Sequence, residues 1–240
     1  MEVAKLASSA RPAPDRLRSV IVAAGLIAGH AVAQVPPTPA EQARYTGLFA
    51  AAVRGDVNEI RTLIAKGGQA DPRDVYRRTP LHVAAYRSNT GAMRALVEAG
   101  ADPNKLENER YDIVTIAAVA NDMQVLKTAL ALGCKATNVT SRYDGTALIA
   151  AAHLGHAEVV RELVSAGAPL DHVNNIGWTA LIEAIVLGDG GPRHVATLQV
   201  LVEAGASLVL ADRSGRSPLA LARSRGYVPM VRILEAASAR

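Results

Sequence analysis

The chain has 240 residues and a formal net charge of +4, and 50% of its residues are hydrophobic while only 3% are aromatic. This length is ample for a stacked core, and the scarcity of aromatic residues indicates packing by small side chains such as Ala and Leu. The single cysteine excludes an intramolecular disulfide bond.

The first 33 residues have the three parts of a secretory signal peptide. Basic residues within positions 1–19 precede the uncharged apolar run Val20–Gly29, and the small residues Ala31–Ala33 follow it. We therefore expect export and cleavage after Ala33. The apolar run is too short to span a bilayer comfortably, although an uncleaved anchor or a disordered tail remains an alternative.

The basic balance of the chain is partly due to this leader. Residues 1–33 carry four of the 26 basic residues and two of the 22 acidic ones, so that the rest of the chain has a net charge of +2. We therefore do not predict nucleic-acid binding from the isoelectric point of about 9.4. No membrane association is expected after cleavage.

Residues 34–39, QVPPTP, predict a short extended linker. Thr38, followed by a proline and by Glu41 three places on, has the pattern of a capping box. The first helix is therefore expected to begin directly after Thr38 and to run through Thr46 to about Arg54, which places Thr46 inside the helix.

The remaining chain repeats with a period of about 33 residues. Each repeat starts with Thr, Ser or Asp, which can cap a helix, and has Leu or Val two places on and Ala five places on. A small or turn-forming residue nine places on ends this helix, and a second amphipathic helix follows. The starts are Thr46, Thr79, Asp112, Thr146, Thr179 and Ser217, which are 33, 33, 34, 33 and 38 residues apart.

Three stretches resemble ankyrin repeats: TPLHVAA at 79–85, GADPN at 100–104 and GTALIAAAHLGHAEVVRELVSAGAPLD at 145–171. The resemblance covers residues 40–240 and implies an all-α repeat solenoid. In this fold six stacked helix-turn-helix units are joined by β-hairpin or loop fingers. The third repeat, YDIVTIAAVAND, departs most from the pattern because it lacks both the Thr and the Pro.

The residues that could carry chemistry are few, and we expect no catalytic, cofactor or metal site. Cys134 is expected to be a small, partly buried thiol, and the resemblance implies a structural hydrogen bond for His82. His153 and His156 are separated by a glycine that breaks the helix, and no third metal ligand is evident. The insertion Gly188–His194, GDGGPRH, lacks the Lys and Ser or Thr of a nucleotide-binding loop and predicts a surface loop without a ligand.

Surface residues therefore carry the functional prediction. The resemblance implies that the residue before each repeat start and those seven and eight places after it line a concave groove, with the hairpin tips just upstream. Tyr, Trp and Arg are enriched at binding hot spots. The predicted partner-binding residues are Tyr76, Arg77, Arg78, Tyr86, Arg87, Arg110, Tyr111, Tyr143, His153, Leu154 and Trp178. The alternative is that Trp178 and some of the tyrosines pack against neighbouring fingers.

The favoured hypothesis is a non-catalytic, monomeric protein in the periplasm of a Gram-negative bacterium, or secreted from it, that binds another protein through the groove and hairpin tips. The chain looks like small periplasmic ankyrin proteins, some of which support a partner enzyme such as catalase. One alternative is a secreted effector acting on host proteins. Another is a hydrolase or a small-molecule-binding protein that uses Cys134 or the histidines.

Overall fold

Two layers of helices build the part of the chain that the structure describes, residues 35–239 of a computed structural model. Residues 1–34, which contain the predicted signal peptide and its cleavage site after Ala33, lie outside the described residues. The helices of each layer contact one another in chain order, and the two layers pack together. The all-α repeat solenoid implied by the resemblance is confirmed.

Six helix pairs form the two layers, and a short helix, α1 (Pro39–Arg44), precedes them. The first helix of each pair is called the inner helix and the second the outer helix. The inner helices are α2 (Gly47–Arg54), α4 (Pro80–Tyr86), α6 (Ile113–Ala120), α8 (Ala147–His153), α10 (Ala180–Val186) and α12 (Pro218–Ser224). The outer helices are α3 (Val57–Ala65), α5 (Thr90–Glu98), α7 (Met123–Ala131), α9 (Ala157–Ser165), α11 (Pro192–Glu203) and α13 (Val228–Ser238). Within residues 35–239, no helix has both the length and the apolar character that a membrane crossing requires.

A polar residue stands before every inner helix. In α4 the Thr79 side chain accepts a hydrogen bond from the backbone N–H of His82, and in the divergent third repeat Asp112 does the same for Thr115. Such a bond satisfies an N–H that the helix itself leaves unpaired. The N-cap residues are Thr46, Thr79, Asp112, Thr146, Thr179 and Ser217, the same six that the repeat alignment places first.

The predicted continuous helix from residue 39 to residue 54 is wrong. Thr38 does form the capping box with Glu41, but α1 ends at Arg44. Tyr45 and Thr46 are extended, and α2 begins at Gly47. Thr46 therefore precedes a helix and does not lie inside one, although its side chain makes no capping hydrogen bond.

Contacts of Tyr45 explain this break. The Tyr45 hydroxyl donates a hydrogen bond of 2.6 Å to Asp74 in the next repeat, and its ring stacks on Phe49 with centroids 4.9 Å apart. Gly47, the first residue of α2, has a φ of 54°, so that right-handed helical backbone cannot run through it from α1 into α2. A long-range contact thus overrides a local helical pattern.

Five fingers, each the connection between an outer helix and the next inner helix, project from the layers. In every finger one polar side chain accepts hydrogen bonds from the backbone N–H groups two and four residues further on, which fixes the turn at the tip. Finger 3 also contains an antiparallel pair, β1 (Val139–Thr140) and β2 (Gly145–Thr146). The fingers are finger 1 (67–78), finger 2 (100–111), finger 3 (133–145), finger 4 (167–178) and finger 5 (205–216). The side chains that hold their tips are those of Asp74, Glu107, Ser141, Asn174 and Asp212.

The core lies between the two helix layers and continues from repeat to repeat. Leu148 and Leu181, two places after their repeat starts, are buried in it. The column that always contains alanine is also buried, which lets neighbouring inner helices approach closely. Its members are Ala51, Ala84, Ala117, Ala151, Ala184 and Ala222.

Candidate functional site

His82 belongs to the scaffold. The Thr79 N–H donates to His82 Nδ1 at 3.1 Å, so that Nε2 carries the proton and donates to the carbonyl of Lys105 at 3.0 Å. Burial lowers the pKa of His82 to about 4 and keeps the ring neutral. The imidazole therefore links α4 to finger 2 and is not available for chemistry.

Cys134 is buried, and its thiol points to Asp112 with an Sγ to Oδ2 distance of 3.6 Å. Burial, followed by the neighbouring carboxylate, raises the pKa of the Cys134 thiol above its usual value. A reactive cysteine needs the opposite environment, which is exposed and electropositive. These surroundings speak against the use of Cys134 as a nucleophile.

The two central histidines face different partners. His156 Nδ1 lies 2.9 Å from the carbonyl of Ala118, whereas His153 Nδ1 lies 3.3 Å from Oε2 of Glu183. Within residues 35–239, no three potential metal-ligating side chains come together. The histidines thus serve separate internal contacts.

Arg78 is buried, so its predicted position on the partner-binding surface is wrong. Its guanidinium donates to Asp74 at 2.7 Å, to Glu41 at 3.1 Å and to the Val35 carbonyl at 3.1 Å, and the residue is 0% exposed. The physical reason is that α1 and the extended residues before it fold over this side chain. Residues 35–38, predicted as a linker, are therefore part of the folded structure.

The predicted surface positions of Tyr111 and His153 are also wrong. Tyr111 packs into the core, and burial raises its pKa to about 12. Tyr86 is half-buried, and its hydroxyl makes no hydrogen bond within the described residues. The packing alternative considered for the aromatic residues therefore applies fully to Tyr111 and in part to Tyr86 and Trp178, which pack against the core but stay half-buried.

The other predicted residues remain at least partly accessible. Tyr143, Leu154 and Trp178 are half-buried. Tyr76, Arg77, Arg87 and Arg110 are exposed. The surface is thus richest in accessible side chains on finger 1 and at the end of α4.

Charges on fingers 2 and 3 neutralise each other. Arg110 pairs with Asp144 at 2.6 Å, and Arg142 pairs with Glu109 at 2.5 Å. In contrast, the guanidinium groups of Arg77 and Arg87 form no ion pair with any described residue. The uncompensated positive charge of this surface therefore lies on finger 1 and at the end of α4.

A buried polar network beneath the central groove was not predicted. Glu183 contacts His153 through one carboxylate oxygen and accepts a hydrogen bond of 2.8 Å from Asn174 through the other. All three residues are buried. One sequence feature could have indicated this network: Glu183 stands four places after its repeat start, where the other five repeats have Ala, Val, Ile or Leu.

The insertion after α10 contacts both neighbouring repeats. His194 Nε2 lies 2.9 Å from the carbonyl of His153, and Arg193 donates to the carbonyl of Leu154 at 2.6 Å. On the other side the Tyr227 hydroxyl donates to the carbonyl of Gly188 at 3.0 Å. The insertion is thus built into the scaffold across three repeats.

Comparison with known proteins identifies the class. A family model described as ankyrin repeats in three copies matches residues 25–107 and 114–212, and the chain belongs to the ankyrin-repeat family. Ankyrin repeats generally mediate protein–protein interactions, and proteins built from them are typically non-catalytic scaffolds.

Individual relatives cover most of the chain. It is 35% identical over 190 residues to the ankyrin repeat protein YahD of Escherichia coli (strain K12), an alignment that covers 79% of this chain and 94% of YahD. The crystal structure of an ankyrin repeat domain from Acinetobacter baumannii AYE is similar with a TM-score of 0.75 and 40% identity, covering 80% of this chain and 97% of that domain. The ankyrin repeat domain of Bcl-3, a member of the IkappaB family, has a TM-score of 0.72 and 30% identity over 81% of this chain and 86% of its own length.

Proposed function

We propose that this protein is a monomeric, non-catalytic scaffold that binds another protein through its fingers and the ends of its inner helices. The observation that carries this proposal is the contrast between two groups of side chains. Cys134 and His82, the side chains that could carry chemistry, are buried inside the scaffold. In contrast, the side chains of Tyr76, Arg77 and Arg87 are exposed. Exposed Tyr and Arg side chains on a rigid support are typical of binding hot spots.

Partner capture by the affinity-tagged protein tests this function. Tyr76→Ala combined with Arg87→Ala should weaken capture at least about tenfold, since truncating hot-spot residues costs 1 kcal/mol or more each. The matched control combines Arg94→Ala and Lys127→Ala, which remove exposed side chains from the outer helices. Equal capture by both double variants, with folding checked by circular dichroism, would contradict the proposed surface.

We further propose that residues 1–33 direct export to the periplasm of a Gram-negative bacterium, where support of a partner enzyme is one form that this binding can take. The three-part pattern of the leader supports export. Val35, two residues after the proposed cleavage site, belongs to the folded structure, so that cleavage there leaves the contact with Arg78 in place.

Cell fractionation with mass spectrometry of the isolated protein tests the export proposal. The periplasmic fraction should contain a chain that begins at Gln34. A chain with an intact leader in the cytoplasm would contradict export, and a processed chain in the culture medium would favour the secreted effector.

A further inference from the structure

Main-chain hydrogen bonds join neighbouring fingers into a ladder. In each of them a backbone N–H of one finger donates to a carbonyl at the tip of the preceding finger. The bonds run from Asn108 to Tyr76 at 3.0 Å, from Ser141 to Arg110 at 3.1 Å and from Asn175 to Tyr143 at 2.8 Å. Val75 holds the place in finger 1 that Asn108 holds in finger 2, and its N–H makes no hydrogen bond to any described residue. The ladder thus has an open donor at its N-terminal end.

The tip of finger 1 holds this donor in a fixed geometry. One carboxylate oxygen of Asp74 accepts from the N–H groups of Tyr76 at 2.9 Å and Arg78 at 2.8 Å. The Arg77 N–H donates to the Asp74 carbonyl at 2.9 Å, which closes the turn. A partner that binds here pays little entropy for ordering the tip, because the turn is already formed.

Three consecutive side chains of this tip are presented outwards. Val75 is 85% exposed, and Tyr76 is 38% exposed with its ring over the buried Arg78 guanidinium at 4.5 Å. Arg77 has a φ of 59°, and the same place in the other fingers is also left-handed, at Arg110, Asp144, Gly177 and Gly215. Arg110 and Asp144 pair with each other, whereas Arg77 has no ion-pair partner among the described residues, so that its charge is available for an external contact.

We propose that the tip of finger 1, Val75–Arg77, binds an extended acidic segment of the partner protein. A main-chain carbonyl of that segment accepts from the Val75 N–H and continues the ladder, as in recognition by strand addition. A carboxylate of the segment, next to that carbonyl, pairs with Arg77, and apolar side chains of the segment contact Val75 and Tyr76. This assignment rests on the proposed protein-binding function and names the chemistry of the partner.

A second copy of the chain fits this tip poorly. Finger 5, the last of the fingers, presents Arg213, which forms no ion pair with any described residue, whereas Arg216 pairs with Asp212. Docking finger 5 of one molecule on finger 1 of another would bring like charges together, which opposes association. An acidic segment has the complementary charge.

Nuclear magnetic resonance titration of the isotope-labelled protein tests the proposal with two short synthetic peptides, one alternating Val and Glu and one alternating Val and Lys. The Glu peptide should shift the amide resonances of Val75 and Arg77 and bind at least about tenfold more tightly than the Lys peptide, the factor expected for one charge-assisted contact. Arg77→Glu should abolish this preference. The matched control Arg94→Glu makes the same charge change on the exposed face of α5 and should keep it.

Three results would overturn the acidic-partner assignment: equal binding of both peptides, unchanged Glu-peptide binding by the Arg77→Glu variant, or no shift at Val75 with either peptide. A well-dispersed spectrum of each variant shows that the fold is retained. If one of these three results is obtained but partner capture still depends on Tyr76 and Arg87, the protein-binding function stands and only the proposed chemistry of the partner is wrong. If no variant loses partner capture and no variant loses the peptide preference, both the protein-binding function and the acidic-partner assignment are contradicted.

Discussion

At the scale of single residues, Arg78 shows how the location of a repeat in the stack sets the role of a charge. The equivalent residue in the last repeat is Arg216, which binds Asp212 as Arg78 binds Asp74. Arg78 is also covered by α1 and pairs with Glu41, whereas the Arg216 side chain is 54% exposed. The same residue type is therefore a buried structural link at one end, and a solvated guanidinium bound to a buried carboxylate at the other.

Arg78→Met should lower the free energy of unfolding by about 3 to 5 kcal/mol, because it leaves the buried Asp74 carboxylate and the partly buried Glu41 carboxylate without their partner. Arg216→Met is the matched control and should cost less than about 1 kcal/mol, because the exposed Arg216 guanidinium is solvated and Asp212 keeps its hydrogen bonds from backbone N–H groups. Urea unfolding measures both values. Equal losses would show that α1 does not bury Arg78.

Acid should weaken this same link. Burial alone would raise the pKa of Asp74, but hydrogen bonds from Tyr45 and Arg78 lower it below its ordinary value of 3.8. Because the folded pKa is depressed, the stabilisation is complete above pH 3.8 and is lost as the pH falls through the folded pKa.

Asp74→Asn should therefore reduce the loss of unfolding free energy between pH 7 and pH values below the unfolded pKa of 3.8, since the variant has no carboxylate to protonate. Urea unfolding at the two ends of this range measures the difference. A variant as acid-sensitive as the wild type would contradict the assigned role of Asp74.

At the scale of elements, the insertion Gly188–His194, which includes the first three residues of α11, acts as a connector between repeats. Gly190 has a φ of 70°, and a Cβ atom there would lie 2.4 Å from Cδ1 of Tyr227. Gly215 at the tip of finger 5 has a similar φ of 73° but no neighbouring atom within 4 Å of such a Cβ. Comparing the two glycines therefore separates the energetic cost of backbone strain from the cost of crowding against a neighbour.

Gly215→Ala should cost about 1 kcal/mol, the strain of a left-handed residue with a side chain. Gly190→Ala should cost about 3 kcal/mol, since overpacking against Tyr227 adds to that strain. Thermal and urea unfolding compare the two variants. A loss at Gly190 no larger than at Gly215 would mean that the insertion is not packed against the last repeat.

The inner helices depend on apolar contacts between repeats. Leu148→Ala or Leu181→Ala should cost about 2 to 5 kcal/mol, because each removes a buried side chain and leaves a cavity. Val209→Ala, on an exposed side chain of finger 5, is the control and should change stability by less than about 0.5 kcal/mol. Losses below that value at both leucines would show that the repeat register is wrong.

At the scale of the whole molecule, the sequence predicted the features that recur and missed those that occur once. The N-cap residues and the alanine column follow from a period, so that six copies support one another, and even Asp112 falls in register. The burial of Arg78 depends on a fold-back across 37 residues to Glu41, and no repeat carries a second example of it. The pairing of His153 with Glu183 was indicated by only one feature of the sequence, a carboxylate at a repeat position that is otherwise apolar.

The accessible surface was predicted only in part for the same reason. Side chains at finger tips, such as Tyr76 and Arg77, are exposed in the way that the resemblance implied. Residues directly before a repeat start turn inwards when a neighbouring element covers them, as Arg78 and Tyr111 do. Whether such a residue is covered depends on contacts between elements, which the local pattern of one repeat does not contain.

Site-specific photo-cross-linking in living cells tests the central claim, binding of a partner through the fingers and inner helix ends, most directly. A photoreactive amino acid is placed at Tyr76, at Arg87 or, as the control, at the exposed outer-helix residue Arg94. We predict a discrete protein adduct from the Tyr76 and Arg87 positions and none from the Arg94 position. The absence of an adduct at the first two positions, or an equal adduct at Arg94, would contradict the account.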